Sequence, residues 1–370
     1  MSQNILNLID ELKNKIENST LTIEGNLELQ NIEFIHDFEI EELTLDKCIN
    51  VIPKLNSHHI KKISFYQSNI KYLHDLQLPN LEELTLFDEL DQEDRNKVLQ
   101  SIRQFEKLKK IKLWGYYGLD LKLILQRNIT SLWLTGCTLT NIELLSQFTE
   151  LTSLSLAEYQ NLNIKPLSSM LQLTKLNIPA CGLNDISSLR FLINIKELNL
   201  SVNDIDLTQI YLLQNFKQLS ILILNLCSLI DLIYLKPLSN LKELDISMNN
   251  IVYLEPLQNL NNIVSLNTQI NKVLDVSVLK NHPNFSSYEL DYQDQPTLKE
   301  IMFANKLRDI NAQVTSLRNI REYHSNVKSK MVLQNKKIDN SLQQIFNTQT
   351  QFIQQVASSF QKQSSLEGYQ

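Results

Sequence analysis

Leu198-Asn-Leu-Ser-Val-Asn203-Asp-Ile205 and Leu244-Asp-Ile-Ser-Met-Asn249-Asn-Ile251 are two copies of one phrase. Each extends backwards by one apolar residue, giving L-x-x-L-x-L at Ile195/Leu198/Leu200 and at Leu241/Leu244/Ile246. The phrase returns at Leu151/Leu154/Leu156, Leu173/Leu176/Ile178, Leu219/Leu222/Leu224 and Ile263/Leu266, at a spacing close to 22 residues. Backwards it runs through Ile129/Leu132/Leu134 and Leu108/Ile111/Leu113, with weaker copies starting at Leu81, Ile60 and Ile40. At the ends it fades, to Leu21/Ile23 and to Phe285/Tyr288/Leu290, as terminal repeats do. About 13 coils are expected over residues 18–295.

The x-L-x-L-x segment alternates with period two, so it turns its leucines to one side and its x residues to the other, as a short strand does. After it come apolar residues such as Ile251, Leu254, Leu257 and Leu260, spaced to suit a tight 3-10 or helical return across the back of the coil. One coil cannot cover its own leucines. Only stacking covers them, and stacking aligns the strands in parallel. Between Leu81 and Leu108 the spacing stretches to 27 residues. There, residues 91–107 carry Val98, Leu99, Ile102 and Phe105 at helical spacing, which predicts a full helix on the back of that coil.

On these residues the chain resembles the leucine-rich repeat family, in its 22-residue class. The repeats are similar to those of bacterial internalins and of a regulatory subunit of protein phosphatase. The resemblance implies an α/β solenoid: a leucine-rich repeat arc with a parallel β-sheet on the concave face and short 3-10 or α segments on the convex face. It also implies protein recognition rather than catalysis. The residues from His282-Pro-Asn-Phe285 to Leu307 depart from the end cap of the phosphatase subunit, so that subunit's contacts are not carried over.

The family places a ladder-forming Asn three residues after the last strand leucine. Asn26, Asn203, Asn249 and Asn271 stand there, and so do all four cysteines, Cys48, Cys137, Cys181 and Cys227. The resemblance therefore makes the cysteines interior ladder residues. Cys137, Cys181 and Cys227 are each two coils apart, roughly 10 Å at the spacing of adjacent strands, which is too far for a disulfide. Reduced thiols agree with a cytoplasmic location. His58-His59 is the only close histidine pair and has no third ligand nearby. No phosphate-binding loop, nucleophile elbow, zinc-protease or kinase phrase occurs. No cofactor, metal site or catalytic residue is expected, and the chain reads as a non-enzyme.

The outward strand positions are the candidate binding surface. Tyr66, Phe87 and Trp114 occupy one outward position in three successive coils, and Trp133 lies in the next coil, two places earlier in its strand. Such aromatics either pack on one another or serve as interface anchors. Farther on, Ser153, Ser155, Lys175, Asn177, Glu197, Asn199, Glu243, Asp245, Ser247 and Asn267 give a polar face, broken by Ile221 and Ile223, a second candidate contact. Lys110 and Lys112 are too few to grip phosphates. A protein or peptide is the expected partner, and nucleic acid or a membrane is not.

The termini differ from the body. Residues 1–17 read as an amphipathic capping helix with Ile5, Leu8, Ile9, Leu12 and Ile16 on one side, and lack a secretory pattern. Residues 296–361 hold no glycine after Pro296 and place apolar residues at helical spacing, with a heptad series Met331, Ile338, Ile345 and Phe352. A hairpin on the last coil, a coiled coil joining chains, and a projecting arm all fit that pattern, so a homo-oligomer through 297–361 is one expectation. Residues 362–370 are polar and expected to be disordered. The chain carries a formal net charge of −6. Within it, residues 297–362 are net basic and the preceding body net acidic, a charge that suits an acidic partner, a membrane surface or nucleic acid, or simply a solvated helix face. The leading expectation is a scaffold or adaptor whose tail oligomerises or tethers, and the alternatives are a regulatory subunit of a phosphatase-like enzyme and a tail-mediated membrane or nucleic-acid tether.

Overall fold

The computed structural model describes residues 3–25, 32–48, 54–68, 70–87, 92–273, 277–279 and 287–289. All lie in one compact unit, Met1–Tyr292, and Gln293–Gln370 forms a second. The expected tail (296–361), its end (362–370) and the ladder residue Asn26 lie outside the described residues.

The alternating segments form thirteen strands. They are β1 (Thr20–Glu24), β2 (Glu42–Asp46), β3 (Lys62–Tyr66), β4 (Glu83–Phe87), β5 (Lys110–Trp114), β6 (Ser131–Thr135) and β7 (Ser153–Ala157), followed by β8 (Lys175–Asn177), β9 (Glu197–Asn199), β10 (Ile221–Ile223), β11 (Glu243–Asp245), β12 (Ser265–Asn267) and β13 (Ser287–Glu289). They join in one sheet in sequence order, and every neighbouring pair is parallel, with inward residue opposite inward residue, as in Leu132↔Leu154, Leu45↔Phe65 and Leu222↔Leu244. The inward leucines are almost wholly buried along the stack. Each contributes about 1.5–3 kcal/mol by leaving water.

Two backbone devices repeat with the leucines. One residue before each strand pairing begins, a carbonyl accepts two successive N–H groups from the next coil. Thr174 O, for example, accepts from Lys196 N (2.7 Å) and Glu197 N (3.1 Å), and the pattern runs unbroken from Ser19 O to Lys242 O. At the other end of the strand, the residue two places after the last strand leucine has positive φ. It does so in eleven coils: Gly25, Lys47, Gln67, Gly115, Gly136, Glu158, Ala180, Val202, Leu226, Met248 and Ile270. Where the pairing continues, its N–H still bonds the next coil, as Val202 N does to Asn225 O at 2.9 Å. The left-handed turn then swings the chain off the sheet, so that the following ladder residue points into the core.

The return path is built from 3-10 turns, among them Ile142–Gln147, Lys165–Ser169, Ser187–Phe191 and Leu207–Asn215. The long coil carries the expected helix, α2 once the N-terminal helix α1 (Gln3–Asn14) is counted. α2 spans Gln92–Ser101, shorter than 91–107. It tightens into a 3-10 turn at Ile102–Gln104, which lets Phe105 and Leu108 enter the core beside Val98, Leu99 and Ile102. In α1 and just beyond it, Leu12 is buried, and Ile9 and Ile16 pack against the same core. That is what a cap does for the open end of a stack. Among the described residues no helix is long and apolar enough to cross a membrane.

Candidate functional site

The outward positions of β3 to β6 carry the expected aromatics. Register places Tyr66 opposite Phe87 and Phe87 opposite Trp114. The Tyr66 and Phe87 ring centres are 6.4 Å apart and tilted, and Phe87 meets Trp114 edge-to-face at 5.1 Å. The rings pack on one another and still face solvent, Trp114 remaining 51% exposed and Tyr66 39%. A row only one strand deep cannot cover its own outer faces.

Trp133 stands apart from this row. It is opposite Lys112 rather than Trp114, and the Lys112 ammonium lies 5.5 Å from its ring centre, within cation–π range. Lys112 also bonds Glu83 at 2.6 Å, and Lys110 reaches the same carboxylate at 3.4 Å. Burial alone would raise the Glu83 carboxyl, but the hydrogen bond and charge of Lys112, with Lys110, hold it below its ordinary value. Both lysines of β5 are thus engaged. Beside the row, a depression of about 480 Å³ is lined by Thr22, Thr44, Asp46, Lys47, Tyr66, Gln67 and Phe87. The site is an aromatic ridge with a hollow, mainly apolar at its surface, against its Tyr66 and Phe87 end.

Along the later strands the face changes character. Ile221 and Ile223 are half-buried on β10. Ser247, expected on the exposed polar face, is instead buried, and Ser155, expected there too, is only 1% exposed. It lies in register between Trp133 and Asn177, and its hydroxyl accepts Asn177 Nδ2 at 2.7 Å. The bulky indole on one side and the amide on the other close over it.

The ladder is built as the resemblance implies. Asn203 Nδ2 donates to Ile178 O and Leu200 O, at 2.9 and 2.8 Å, and its Oδ1 accepts Cys181 N and Leu183 N, both at 3.0 Å. Asn249 makes the same set with Leu224, Ile246, Cys227 and Leu229, and Asn271 Nδ2 reaches Ile246 O at 2.8 Å. Cys181 and Cys227 aim their thiols at the equivalent carbonyls, Leu156 O (3.0 Å) and Leu200 O (3.2 Å). Cys48 and Cys137 do likewise with Ile23 O and Leu113 O. All four cysteines are buried and unpaired. Burial pushes Cys137, Cys181 and Cys227 up to about 11 and also raises Cys48.

Three ladder occupants escape the Asn/Cys reading. Ser68 takes the position with its hydroxyl, donating to Leu45 O and accepting Cys48 N. Tyr116 and Tyr159 take it with large buried rings. Burial raises the Tyr159 phenol far above its ordinary value, with Cys137 and Cys181 nearby adding to the effect. In five coils a second ladder runs along the residue just before the first leucine. There the side-chain amides of Asn80, Asn128, Asn194, Asn240 and Asn262 donate to the carbonyls of His58, Glu106, Leu171, Lys217 and Ser239, at 2.7–3.0 Å. The recurring Asn-Leu or Asn-Ile pair was its visible signal. His58 and His59 are exposed, and no group of three potential metal-binding side chains occurs among the described residues.

No protein-family model matches the chain, and no curated protein matches it. Solved structures do. An internalin (InlF) of Listeria monocytogenes is 18% identical, the match covering 77% of this chain and 89% of that one with a TM-score of 0.50. A leucine-rich repeat protein of Leptospira interrogans is 19% identical over 73% of this chain and 77% of that one, with a TM-score of 0.51. The chain has the leucine-rich repeat fold.

Proposed function

We propose that the chain is a non-catalytic scaffold or adaptor that recognises a protein or peptide on the outward face of its sheet, with Tyr66, Phe87, Trp114 and Trp133 as the anchors. The observation that carries this is the packed aromatic row that ends in the half-exposed indole of Trp114, with a mainly apolar hollow against Tyr66 and Phe87 at its other end. A partner closing over the row would desolvate large apolar rings whose positions are already fixed, so little side-chain entropy is lost on binding. Ile221 and Ile223 serve as a second contact farther along the sheet. The reading has the tail, residues 297–361, oligomerise or tether the scaffold. Four unpaired, buried thiols support a cytoplasmic setting.

The test is selection from a random-peptide display library on the full chain and on a Trp114→Ser/Trp133→Ser variant with matched melting temperature. Sequences enriched on the parent and lost on the variant support the proposal. Enrichment that survives both substitutions sinks it. For the tail, light scattering of the full chain and of a version ending at Pro296 decides: a mass that falls to the monomer on truncation supports assembly, and an unchanged mass rejects it.

A further inference from the structure

The positive-φ column divides sharply along the chain. In the six earlier described coils it is glycine or polar: Gly25, Lys47, Gln67, Gly115, Gly136 and Glu158. In the five from β8 onward it is Ala180, Val202, Leu226, Met248 and Ile270, without a polar residue. The left-handed conformation disfavours all five, and β-branched Val202 and Ile270 most of all. These side chains also stand in water, Val202 at 47%, Leu226 at 45%, Met248 at 41% and Ile270 at 59% exposure. Strain and exposed apolar surface coincide at the same residues. Glycine or asparagine would relieve both at once.

We propose that this column is a binding ridge for a basic amphipathic helix of a partner protein. Its geometry suits a helix. The backbone at each step bonds the next coil, as in Leu226 N to Ser247 O and Met248 N to Gln269 O, so the side chains are held one strand spacing apart. Five of them at roughly 4.8 Å span about 19 Å, the length of about 13 helical residues, and an i, i+3, i+4, i+7 stripe repeats at nearly the same interval. The charge comes from the flanks. Asp204 is exposed two residues after Val202, Glu243 is exposed and Asp245 half-exposed on the strand before Met248, and Glu158 is exposed at the head of the column. On the strand side Lys175 is paired with Glu197 at 2.5 Å, Lys196 and Lys242 stand one residue before their strands, six residues from the column, and Lys272 lies at the far end. An apolar stripe edged by lysine or arginine meets this pattern. The ridge is separate from the aromatic row, and neither proposal depends on the other.

The probe is a labelled helical peptide of about 15 residues with leucines along one face and lysines elsewhere, titrated by fluorescence anisotropy into the full chain. A second peptide has the same composition with the leucines scattered around the helix. The variant combines Val202→Asn, Leu226→Asn, Met248→Asn and Ile270→Asn, which should fold at least as well because asparagine tolerates the left-handed turn. The expected result is saturable binding of the striped peptide, weaker by about tenfold or more for the scattered peptide and for the variant. The proposal is overturned if the parent does not bind the striped peptide, if both peptides bind equally, or if the variant binds like the parent. It is also overturned if sedimentation shows the four substitutions dissolving a self-associated parent, since the ridge would then be a contact between copies.

Discussion

The side-chain oxygen of Asn203 accepts the amides of both Cys181 and Leu183 at 3.0 Å, so one residue closes two backbone donors of the coil before its own. Its amide group meanwhile reaches carbonyls of that coil and of its own. Leucine at this position would leave buried donors and acceptors on both coils without partners, each at about 1–3 kcal/mol. Asn203→Leu is expected to cost about 3 kcal/mol or more. Urea unfolding checks this, and a loss below about 1 kcal/mol would mean the ladder is decorative.

The thiols make a pH prediction. Their ordinary pKa is 9.0, and burial raises three of them to about 11. Below pH 9 both the folded and unfolded chains hold these protons, and stability is indifferent to them. Between pH 9 and about 11 the unfolded chain releases them and the folded chain does not, so stability should fall across that window. Melting temperatures from pH 8 to 11 test the sign. At pH 8, a thiol reagent should modify the native protein slowly and all four cysteines promptly in denaturant.

Two glycines separate strain from crowding. Gly136 (φ +59°) has no neighbour closer than 3.6 Å to an added Cβ, whereas at Gly182 (φ +60°) the Cβ would meet Asn161 N at 3.2 Å and Oδ1 at 3.3 Å. Gly136→Ala should cost about 1 kcal/mol, from left-handed strain alone, and Gly182→Ala measurably more. Val202→Gly, by the same reasoning, should raise the melting temperature. Equal losses for the two glycine variants would show that the turn itself dominates.

Only two tryptophans exist in the chain, and both lie on the proposed binding face. Acrylamide should quench nearly all intrinsic tryptophan emission in the free protein. A ligand seated on the aromatic row should protect Trp114 and shift its emission to the blue, while one bound only to the column from Ala180 to Ile270 should leave it unchanged. Lys112→Met should alter the Trp133 signal and also lower stability, because the largely buried Glu83 carboxylate loses its 2.6 Å partner.

The leucine framework was legible in the sequence because its period is imposed by stacking, and one residue's displacement would turn a strand inside out. The aromatic row was legible for the same reason, since register follows from the leucines. The ladder was only half legible. Space and polarity decide what fills it, so Ser68 can substitute through a hydroxyl and Tyr116 and Tyr159 through bulk. Burial of Ser155 was not legible, because it depends on how the neighbouring Trp133 and Asn177 lie. The left-handed column was hidden too: valine, leucine, methionine and isoleucine signal the opposite backbone preference, and only the stack forces them over.

The doubled hydrogen bond at each strand entrance, repeated from Ser19 O to Lys242 O, fixes the chain at the sheet while the back stays free. The coil containing α2 is longer than its neighbours, yet β4 and β5 pair as closely as the others. The molecule is thus a ruler whose marks are rigid along one edge and elastic along the other. Insertions at the back leave the intervals on the sheet undisturbed, whereas duplicating or deleting a whole coil moves the aromatic row and the apolar column apart or together by one fixed step. Any partner that touches both would read that distance in whole numbers of coils.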